Sequence, residues 1–220
     1  MLVIKSFVFN IFSENTYVVW DESTKESIIV DPGCLSDEEE SKLEEYVSGN
    51  GLKVKYLLLT HCHIDHIVGC KFVLEKYNPE YYAPEKDLFL LQRAEVHAAG
   101  FGFKIEPVPE PVNFLSEELK LKIGNSTISS LFTPGHSPGE YCIYFSKEAV
   151  CLTGDVLFKN SIGRTDLWGG DYDTLIASIR TKLFTLPDNV KIYPGHGGST
   201  EIGSEKSFNP FLLEPGKKNN

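Results

Sequence analysis

Four segments of the sequence share one pattern: a run of apolar residues, a tight turn, and a side chain that can bind a metal ion. These segments end at His61, His136, Asp155 and His196, and a glycine stands directly before the last three. Apolar runs closed by glycine or proline are typical of buried strands that lead into loops. Because glycine lets the backbone bend sharply and approach its neighbours closely, several strand ends can aim these side chains at one point. The pattern predicts a polar site along one sheet edge.

The densest part of this pattern is the segment His-Cys-His-Ile-Asp-His, which begins at His61 and ends at His66. Imidazole nitrogens and carboxylate oxygens suit zinc, iron and manganese, and three protein ligands per ion leave a position open for water. Open coordination indicates a catalytic metal centre rather than a structural one. We expect Cys62 to be buried beside the ligands without binding metal, and His97, which lies in a polar helix, to be a surface residue.

The rest of the chain predicts an α/β (α+β) fold in which sheets are covered by helices. Predicted strands occupy residues 2–9, 16–20, 27–30, 56–59, 149–152 and 190–193, with further short strands across 105–145. Predicted helices begin after Ser36 and cover 64–77, 85–99 and 172–183. Since no composition break divides the chain, we expect a single domain over residues 1–213 and a C-terminal tail over 214–220.

Charge and composition limit the partners. Lysine and arginine number 21 against 31 aspartates and glutamates, a formal net charge of −10, which disfavours nucleic acids and anionic membrane surfaces as partners. The N-terminal residues do not resemble a signal peptide and no apolar run is long enough to span a membrane, so we expect a cytoplasmic protein. The cysteines number 5, an odd count without a Cys-x-x-Cys pair, which argues against a disulfide-linked partner. A small-molecule substrate is the expected partner; the sequence leaves the oligomeric state open.

Four motifs together resemble the metallo-β-lactamase superfamily. They are Thr-His-x-His-x-Asp-His at 60–66, Thr-Pro-Gly-His-Ser-Pro-Gly at 133–139, Thr-Gly-Asp at 153–155 and Pro-Gly-His-Gly at 194–197. Their order and context match this superfamily over nearly the whole chain, from the opening strand to about Leu213. The resemblance implies a four-layer αββα sandwich, with two mixed β-sheets flanked by helices and the metal site at one edge between the sheets.

The resemblance also implies two divalent metal ions, with zinc favoured and iron or manganese as alternatives. The implied ligands of the first ion are His61, His63 and His136, those of the second are Asp65, His66 and His196, and Asp155 bridges both. Asp65 and Asp155 are the implied catalytic residues, together with a metal-bridging hydroxide that attacks a carbonyl carbon.

Within the superfamily, the stretch 158–170 and the ending 207–212 are similar to short type II glyoxalase-like hydrolases, the hydroxyacylglutathione hydrolases. Only residues 197–220 follow His196, and they do not contain the helical C-terminal domain that supplies basic groups to glutathione in those enzymes. We therefore expect Arg164 to bind a substrate carboxylate; a structural ion pair with Asp166 or Asp171 is the alternative.

Phe101 and Phe103, flanked by glycines, form either an apolar rim over the site or part of the core.

The predicted function is metal-dependent hydrolysis of a small thioester, because a thiolate leaves without much help from an acid. Two alternatives remain open. A persulfide dioxygenase of the same superfamily would hold one iron through His61, His136 and Asp155, and a lactonase or other ester hydrolase would use both ions.

Overall fold

The computed structural model describes residues 1–213, and its centre is a pair of six-stranded β-sheets. The first sheet contains, in spatial order, β1 (Leu2–Phe9), β2 (Glu14–Asp21), β3 (Glu26–Val30), β4 (Lys53–Leu58), β5 (Glu80–Ala83) and β6 (Asn113–Phe114). The second contains, in spatial order, β14 (Thr200–Glu201), β13 (Lys191–Pro194), β10 (Val150–Gly154), β9 (Tyr141–Phe145), β8 (Ser126–Phe132) and β7 (Lys120–Ile123). β11 (Leu157–Phe158) and β12 (Ser161–Ile162) form a separate hairpin. The predicted tail over 214–220 lies outside the described residues.

Both sheets are mixed, as the sequence predicts. In the first sheet, β1, β2 and β3 pair antiparallel, whereas β3, β4, β5 and β6 pair parallel. In the second sheet β10 and β13 are parallel, and the other neighbours are antiparallel. The parallel strands β4, β10 and β13 each lead into one of the ligand-bearing turns, and β8, which is antiparallel to both of its neighbours, leads into the turn before His136.

Helices cover the outer faces of both sheets. They are α1 (Asp37–Gly49), α2 (Ile64–Ile67), α3 (Cys70–Tyr77), α4 (Leu88–Leu91), α5 (Ala94–Gly100), α6 (Tyr172–Ser178) and α7 (Ile202–Phe208). The long helix α1 begins as its sequence predicts: Ser36 accepts a hydrogen bond from the Glu39 backbone, and the Glu39 side chain accepts one from the Ser36 backbone.

Two predicted helices are broken in the structure. The helix expected over 64–77 is divided into α2 and α3 at Gly69, whose N–H donates to the carbonyl of Pro32 at 2.8 Å and where a Cβ atom would collide with Cys34 Sγ. The helix expected over 85–99 consists of a 3₁₀ turn at Glu85–Asp87 followed by α4 and α5. There the buried Asp87 side chain accepts hydrogen bonds from two neighbouring loops. In both cases tertiary contacts override helix propensity.

The core confirms the predicted four-layer sandwich. Alternate residues of β2 point to opposite faces, so Val18 and Trp20 pack under α1 and its neighbouring helices. Tyr17 and Val19 face the second sheet and pack with Ile143 and others of that sheet. A third apolar cluster joins the outer face of the second sheet to α6, α7 and a π-helical turn at Ile179–Leu183. Helix, sheet, sheet and helix therefore follow one another through the molecule.

The cysteine and membrane predictions can be compared with the described residues. All cysteines are free and buried, among them Cys62 as expected. Among residues 1–213, no helix has both the length and the apolar character needed to cross a membrane.

Candidate metal centre

The predicted ligands converge at one edge of the sandwich because the ends of both sheets are linked there. The backbone N–H of Tyr141 donates to the carbonyl of Thr60 at 2.9 Å, which joins the end of β4 to the second sheet. The N–H of Gly195 donates to the Gly154 carbonyl at 2.7 Å, and Asn15 N–H donates to the Gly195 carbonyl at 2.7 Å. These backbone bonds hold the ligand-bearing turns of the two sheets side by side.

Two glycines are required by this geometry, as predicted. Gly135 has φ of +138°, a conformation that other residues rarely adopt, and it precedes His136. Gly195 lies so close to Asp155 Oδ1 and the His66 ring that any Cβ atom would overlap both. The ligand-bearing turns can approach one another this closely because these positions carry no side chain.

The seven predicted ligands are here called the ligand cluster, and six of them form two groups. In each group, every residue offers one ligand atom, either a ring nitrogen or a carboxylate oxygen. The ligand atoms of a group all lie within 4.8 Å of one another. The first group consists of His61, His63 and His136, and the second of Asp65, His66 and His196. Within them His63 Nδ1 lies 2.8 Å from His136 Nε2, and Asp65 Oδ2 lies 3.1 Å from His196 Nε2.

Asp155 lies between the two groups. Its Oδ1 is 3.5 Å from His66 Nε2, and its Oδ2 is 3.5 Å from both His136 Nε2 and His196 Nε2. One carboxylate thus faces ring nitrogens of both groups, which is the position that a bridging ligand requires.

Several donor atoms in the cluster fit a metal ion better than a hydrogen-bonded core. Nε2 of His61, Nε2 of His66 and Oδ1 of Asp155 are buried without a hydrogen-bond partner among the described residues. An unpaired buried polar atom costs about 1–3 kcal/mol, so three of them at one point would be expensive without a ligand. Imidazole and carboxylate donors in this arrangement are the donor set of a divalent-metal site.

In several ligand histidines, the ring nitrogen Nδ1 contacts an oxygen atom of a residue outside the ligand cluster. His136 Nδ1 donates to the Arg164 carbonyl at 2.8 Å and His196 Nδ1 to the Phe12 carbonyl at 3.1 Å. His66 Nδ1 lies 3.2 Å from Asp31 Oδ2. Since the carbonyls hold protons on Nδ1 of His136 and His196, Nε2 of both rings is free to bind a metal.

Asp31 lies beside the ligands and is not among the site residues predicted from the sequence. Its Oδ1 accepts from the Thr60 N–H at 2.7 Å and its Oδ2 from the Thr60 hydroxyl at 2.6 Å, beside His66. With φ of +50°, Asp31 has a strained backbone for a residue other than glycine. Asp31 also lies near His61. Because both of its carboxylate oxygens accept hydrogen bonds from Thr60, we treat Asp31 as a residue that positions the ligands and not as a ligand itself.

Two buried glutamates lie behind the ligands, and neither is predicted from the sequence. Glu140 accepts from the Asp155 N–H at 2.8 Å and lies 3.6 Å from His61 Nδ1. Glu14 accepts from the Thr16 hydroxyl at 2.9 Å and lies 3.9 Å from His66 Nδ1. Burial raises the pKa of both glutamates well above the usual value, and for Glu140 the Asp155 charge adds to this.

Asp87 connects two ligand-bearing loops. Its Oδ2 accepts from the Cys62 N–H at 3.3 Å and from the Ser137 hydroxyl at 2.6 Å, and its Oδ1 accepts from the Gly139 N–H at 2.7 Å. Burial raises the pKa of Asp87. One carboxyl group therefore fixes the distance between the His61 turn and the His136 loop.

The electrostatics differ between the two groups. Burial lowers the pKa of His61, and it lowers the pKa of His63 to about 3, so both rings are neutral, the form that binds metals. His66 is also buried, but Asp65 and Asp155 beside it raise its pKa well above the usual value. Burial opposes ionisation of Asp65 as well, yet His66 and His196 hold the pKa of Asp65 well below its usual range.

A cavity of about 380 Å³ opens above the ligand cluster. Four aromatic residues, here called the aromatic wall, line it: Phe12, Phe101, Phe158 and Trp168. Phe12 and Phe101 meet edge to face with ring centroids 4.9 Å apart. The sequence leaves open whether Phe101 and Phe103 form a rim over the site or part of the core. Phe101 lines the cavity, whereas Phe103 does not line it and packs against the core.

Arg164 lines the same cavity, but its guanidinium already has a partner. Arg164 Nε and Nη2 donate to the two carboxylate oxygens of Asp166, both at 2.7 Å. The structure thus contains the ion pair that the sequence left as an alternative, and both side chains remain mostly exposed. The proposed contact of Arg164 with a substrate carboxylate stays a prediction.

The expectation for His97 is wrong. Instead of lying on the surface, its ring is buried and stacks on Trp168, with centroids 4.0 Å apart and planes inclined by 6°. The polar residues around it in the sequence obscured this contact, because its partner is 71 positions away and belongs to an irregular loop.

Comparison with known proteins is consistent with this fold and site. The chain matches the metallo-beta-lactamase superfamily over residues 10–196. The chain therefore belongs to the metallo-β-lactamase superfamily, a superfamily of metal-dependent hydrolases. It is 39% identical over 203 residues to "Hydroxyacylglutathione hydrolase GloC" of Haemophilus influenzae, an alignment that covers 91% of this chain and 93% of that protein.

Two solved structures are similar in both sequence and fold. The BLEG-1 B3 metallo-beta-lactamase is 37% identical with a TM-score of 0.88, and the match covers 96% of this chain and 100% of that one. TTHA1623, solved in a di-iron-bound form, is 35% identical with a TM-score of 0.84 and covers 94% and 100%.

Proposed function

We propose that this chain hydrolyses a small thioester of the hydroxyacylglutathione kind at a centre of two divalent metal ions. Asp155 carries this proposal, since its carboxylate faces ring nitrogens of both ligand groups at 3.5 Å. In the proposal His61, His63 and His136 hold one ion, Asp65, His66 and His196 hold the other, and Asp155 bridges them. Zinc is the favoured metal, with iron and manganese as alternatives.

The bound ions would supply Lewis acidity, which makes water acidic enough to attack at neutral pH and stabilises negative charge on the carbonyl oxygen. Asp65 remains ionised at neutral pH because its pKa is held low, so it can orient the attacking water by accepting its hydrogen bond. The aromatic wall borders the cavity in which this water would lie.

The reaction class follows from the leaving group. A thiol has a pKa of about 8.5, so a thiolate departs without a strong acid, whereas an amine must be protonated. The printed name of the relative from Haemophilus influenzae, a hydroxyacylglutathione hydrolase, supports the same class. Arg164 is the proposed contact for a substrate carboxylate that displaces Asp166. The free, buried thiols support cytoplasmic residence, where cysteines stay reduced.

Elemental analysis of anaerobically purified protein, followed by turnover assays, tests the proposal. We expect about two ions per chain and hydrolysis of lactoylglutathione. A content close to one iron per chain, together with oxygen consumption on addition of glutathione persulfide, would overturn the proposal. The enzyme would then be a dioxygenase with a single iron held by His61, His136 and Asp155. Two ions with hydrolysis of lactones but not thioesters would retain the metal centre and reject the thioester.

A further inference from the structure

Two of the four residues of the aromatic wall are exposed. Phe101 is 47% and Trp168 is 42% exposed, although both are large apolar side chains next to a polar metal site. An apolar surface beside a few convergent polar groups is the usual composition of a binding pocket for an apolar ligand. The wall is therefore placed to contact part of a substrate whose reacting carbon lies at the ligand cluster.

The wall lies directly beside the ligands. The Phe158 ring centroid is 6.3 Å from that of His196, and the Trp168 centroid is 6.2 Å from that of His63. A group that lies against these rings is therefore close to a carbonyl that reacts at the ligand cluster. The acyl group and the thiol carrier of a thioester are both attached to that carbonyl, but a polar carrier is better solvated on the open side of the cavity, so we assign the rings to the acyl group.

The charges around the cavity disfavour an anionic acyl group. Among the described residues that line the cavity there is one arginine, Arg164, and no lysine. The guanidinium of Arg164 already donates to both carboxylate oxygens of Asp166. A carboxylate on the acyl group would have to compete with Asp166 for this guanidinium. An uncharged apolar group meets no such competition.

His97 keeps the wall in place. Its ring stacks on Trp168 at 4.0 Å on the side of α5, so the indole is held at the edge of the cavity although it is partly exposed. Phe12 and Phe101 line the same cavity and contact each other edge to face. The four rings therefore border one space above the metal ligands, here called the aromatic slot.

We propose that the site selects thioesters with an uncharged aromatic acyl group, such as phenylacetyl, which binds against the rings of Phe12, Phe101, Phe158 and Trp168. The proposal deepens the thioesterase function and rests on it. It makes Phe101 and Trp168 specificity-determining residues, and His97 a positioning residue that acts through Trp168.

A series of N-acetylcysteamine thioesters with one neutral thiol and different acyl groups tests the proposal on the metal-loaded enzyme. We expect kcat/KM for the phenylacetyl ester to exceed that for the lactoyl ester about tenfold or more. Phe101→Ala and Trp168→Ala should each lower the phenylacetyl value about tenfold and lower the lactoyl value by a smaller factor. Phe208→Ala, an equally large exposed ring on α7 that does not line the cavity, is the matched control and should change neither.

A binding measurement separates this inference from the proposed function. Ketone analogues, in which a methylene group replaces the thioester sulfur, bind without being hydrolysed and can be titrated calorimetrically into the metal-loaded enzyme. Tighter binding of the phenylacetyl than of the lactoyl analogue, lost in Trp168→Ala, supports the aromatic slot even if no thioester is turned over. Equal affinities for the two analogues overturn the slot, while hydrolysis of the lactoyl ester alone would leave the thioesterase function intact.

Discussion

The ligand cluster and the aromatic wall border the same cavity but are held in different ways. His61, His63 and His66 are buried, and behind the cluster lie hydrogen-bonded carboxylates such as that of Asp31. The wall is held mainly by ring contacts, and Phe101 and Trp168 remain partly exposed. Buried hydrogen-bonded groups are fixed in one arrangement, whereas exposed rings retain freedom. The protein therefore holds its predicted metal ligands in one arrangement, while the side chains that would contact substrate can still move.

Removing the Asp155 carboxylate should damage the ligand cluster most. We expect Asp155→Ala to lose metal and at least about a hundredfold in activity, with little change in fold, because the residue 155 backbone still donates to Glu140. Elemental analysis, hydrolysis rates and circular dichroism measure the three quantities. Asp173→Ala, an exposed carboxylate on α6, is the control. Full activity of the Asp155 variant would refute its place in the site.

Asp31→Asn tests whether the outer support matters as much as the ligands themselves. The amide keeps the size of the side chain but removes the charge beside His66 Nδ1, so metal affinity should fall about 10- to 100-fold. Competition with a chromophoric chelator measures it. Phe101→Ala, on the aromatic wall, should leave metal affinity unchanged. If both variants bind metal equally weakly, the two regions are not independent and the comparison fails.

The Arg164–Asp166 pair allows a smaller change at the edge of the cavity. Asp166→Asn frees the guanidinium and should raise kcat/KM about threefold for a succinyl thioester but not for a phenylacetyl one. Arg164→Ala should raise KM for carboxylate-bearing substrates more than for neutral ones. Steady-state kinetics with both esters decide this. An equal effect of either variant on the two esters would exclude Arg164 as a carboxylate contact.

The smallest effect concerns the support of the wall by His97. Burial and the nearby Arg93 lower the pKa of His97, so the unfolded chain takes up a proton first. The stability that His97 contributes is therefore complete above about pH 6.5 and decreases as the pH falls below it. Wild-type and His97→Gln protein, unfolded in urea at pH 8 and pH 5.5, should differ in midpoint more at pH 8. A difference that does not change with pH would contradict this.

The structure brings together the side chains that the sequence singles out as ligands, because the signals of these residues are local. Each turn follows an apolar run, and glycines such as Gly135 and Gly195 mark where the backbone must bend or approach closely. Glu14, Asp87 and Glu140 carry no such local signal, since their partners lie on other elements. Asp87, for example, contacts Cys62 and Gly139, which are 25 and 52 positions away. Carboxylates of this kind become recognisable only when the chain is folded.

The same distinction applies to the fold. The strand over residues 2–9 and the start of α1 agree with prediction because alternation and capping are properties of adjacent residues. The break at Gly69 could not be predicted, since it depends on a bond to Pro32 and on contact with Cys34. The stack of His97 on Trp168 was missed for the same reason.

The four residues of the aromatic wall come from four separate connecting segments. Phe12 lies between β1 and β2, Phe101 directly follows α5, Phe158 belongs to the small hairpin, and Trp168 precedes α6. None of these four residues is a predicted metal ligand, so a side-chain substitution at one of them leaves all seven predicted ligands in the chain. Such an arrangement lets a lineage exchange one acyl preference for another by single substitutions, each selectable by itself, while the metal chemistry is inherited unchanged.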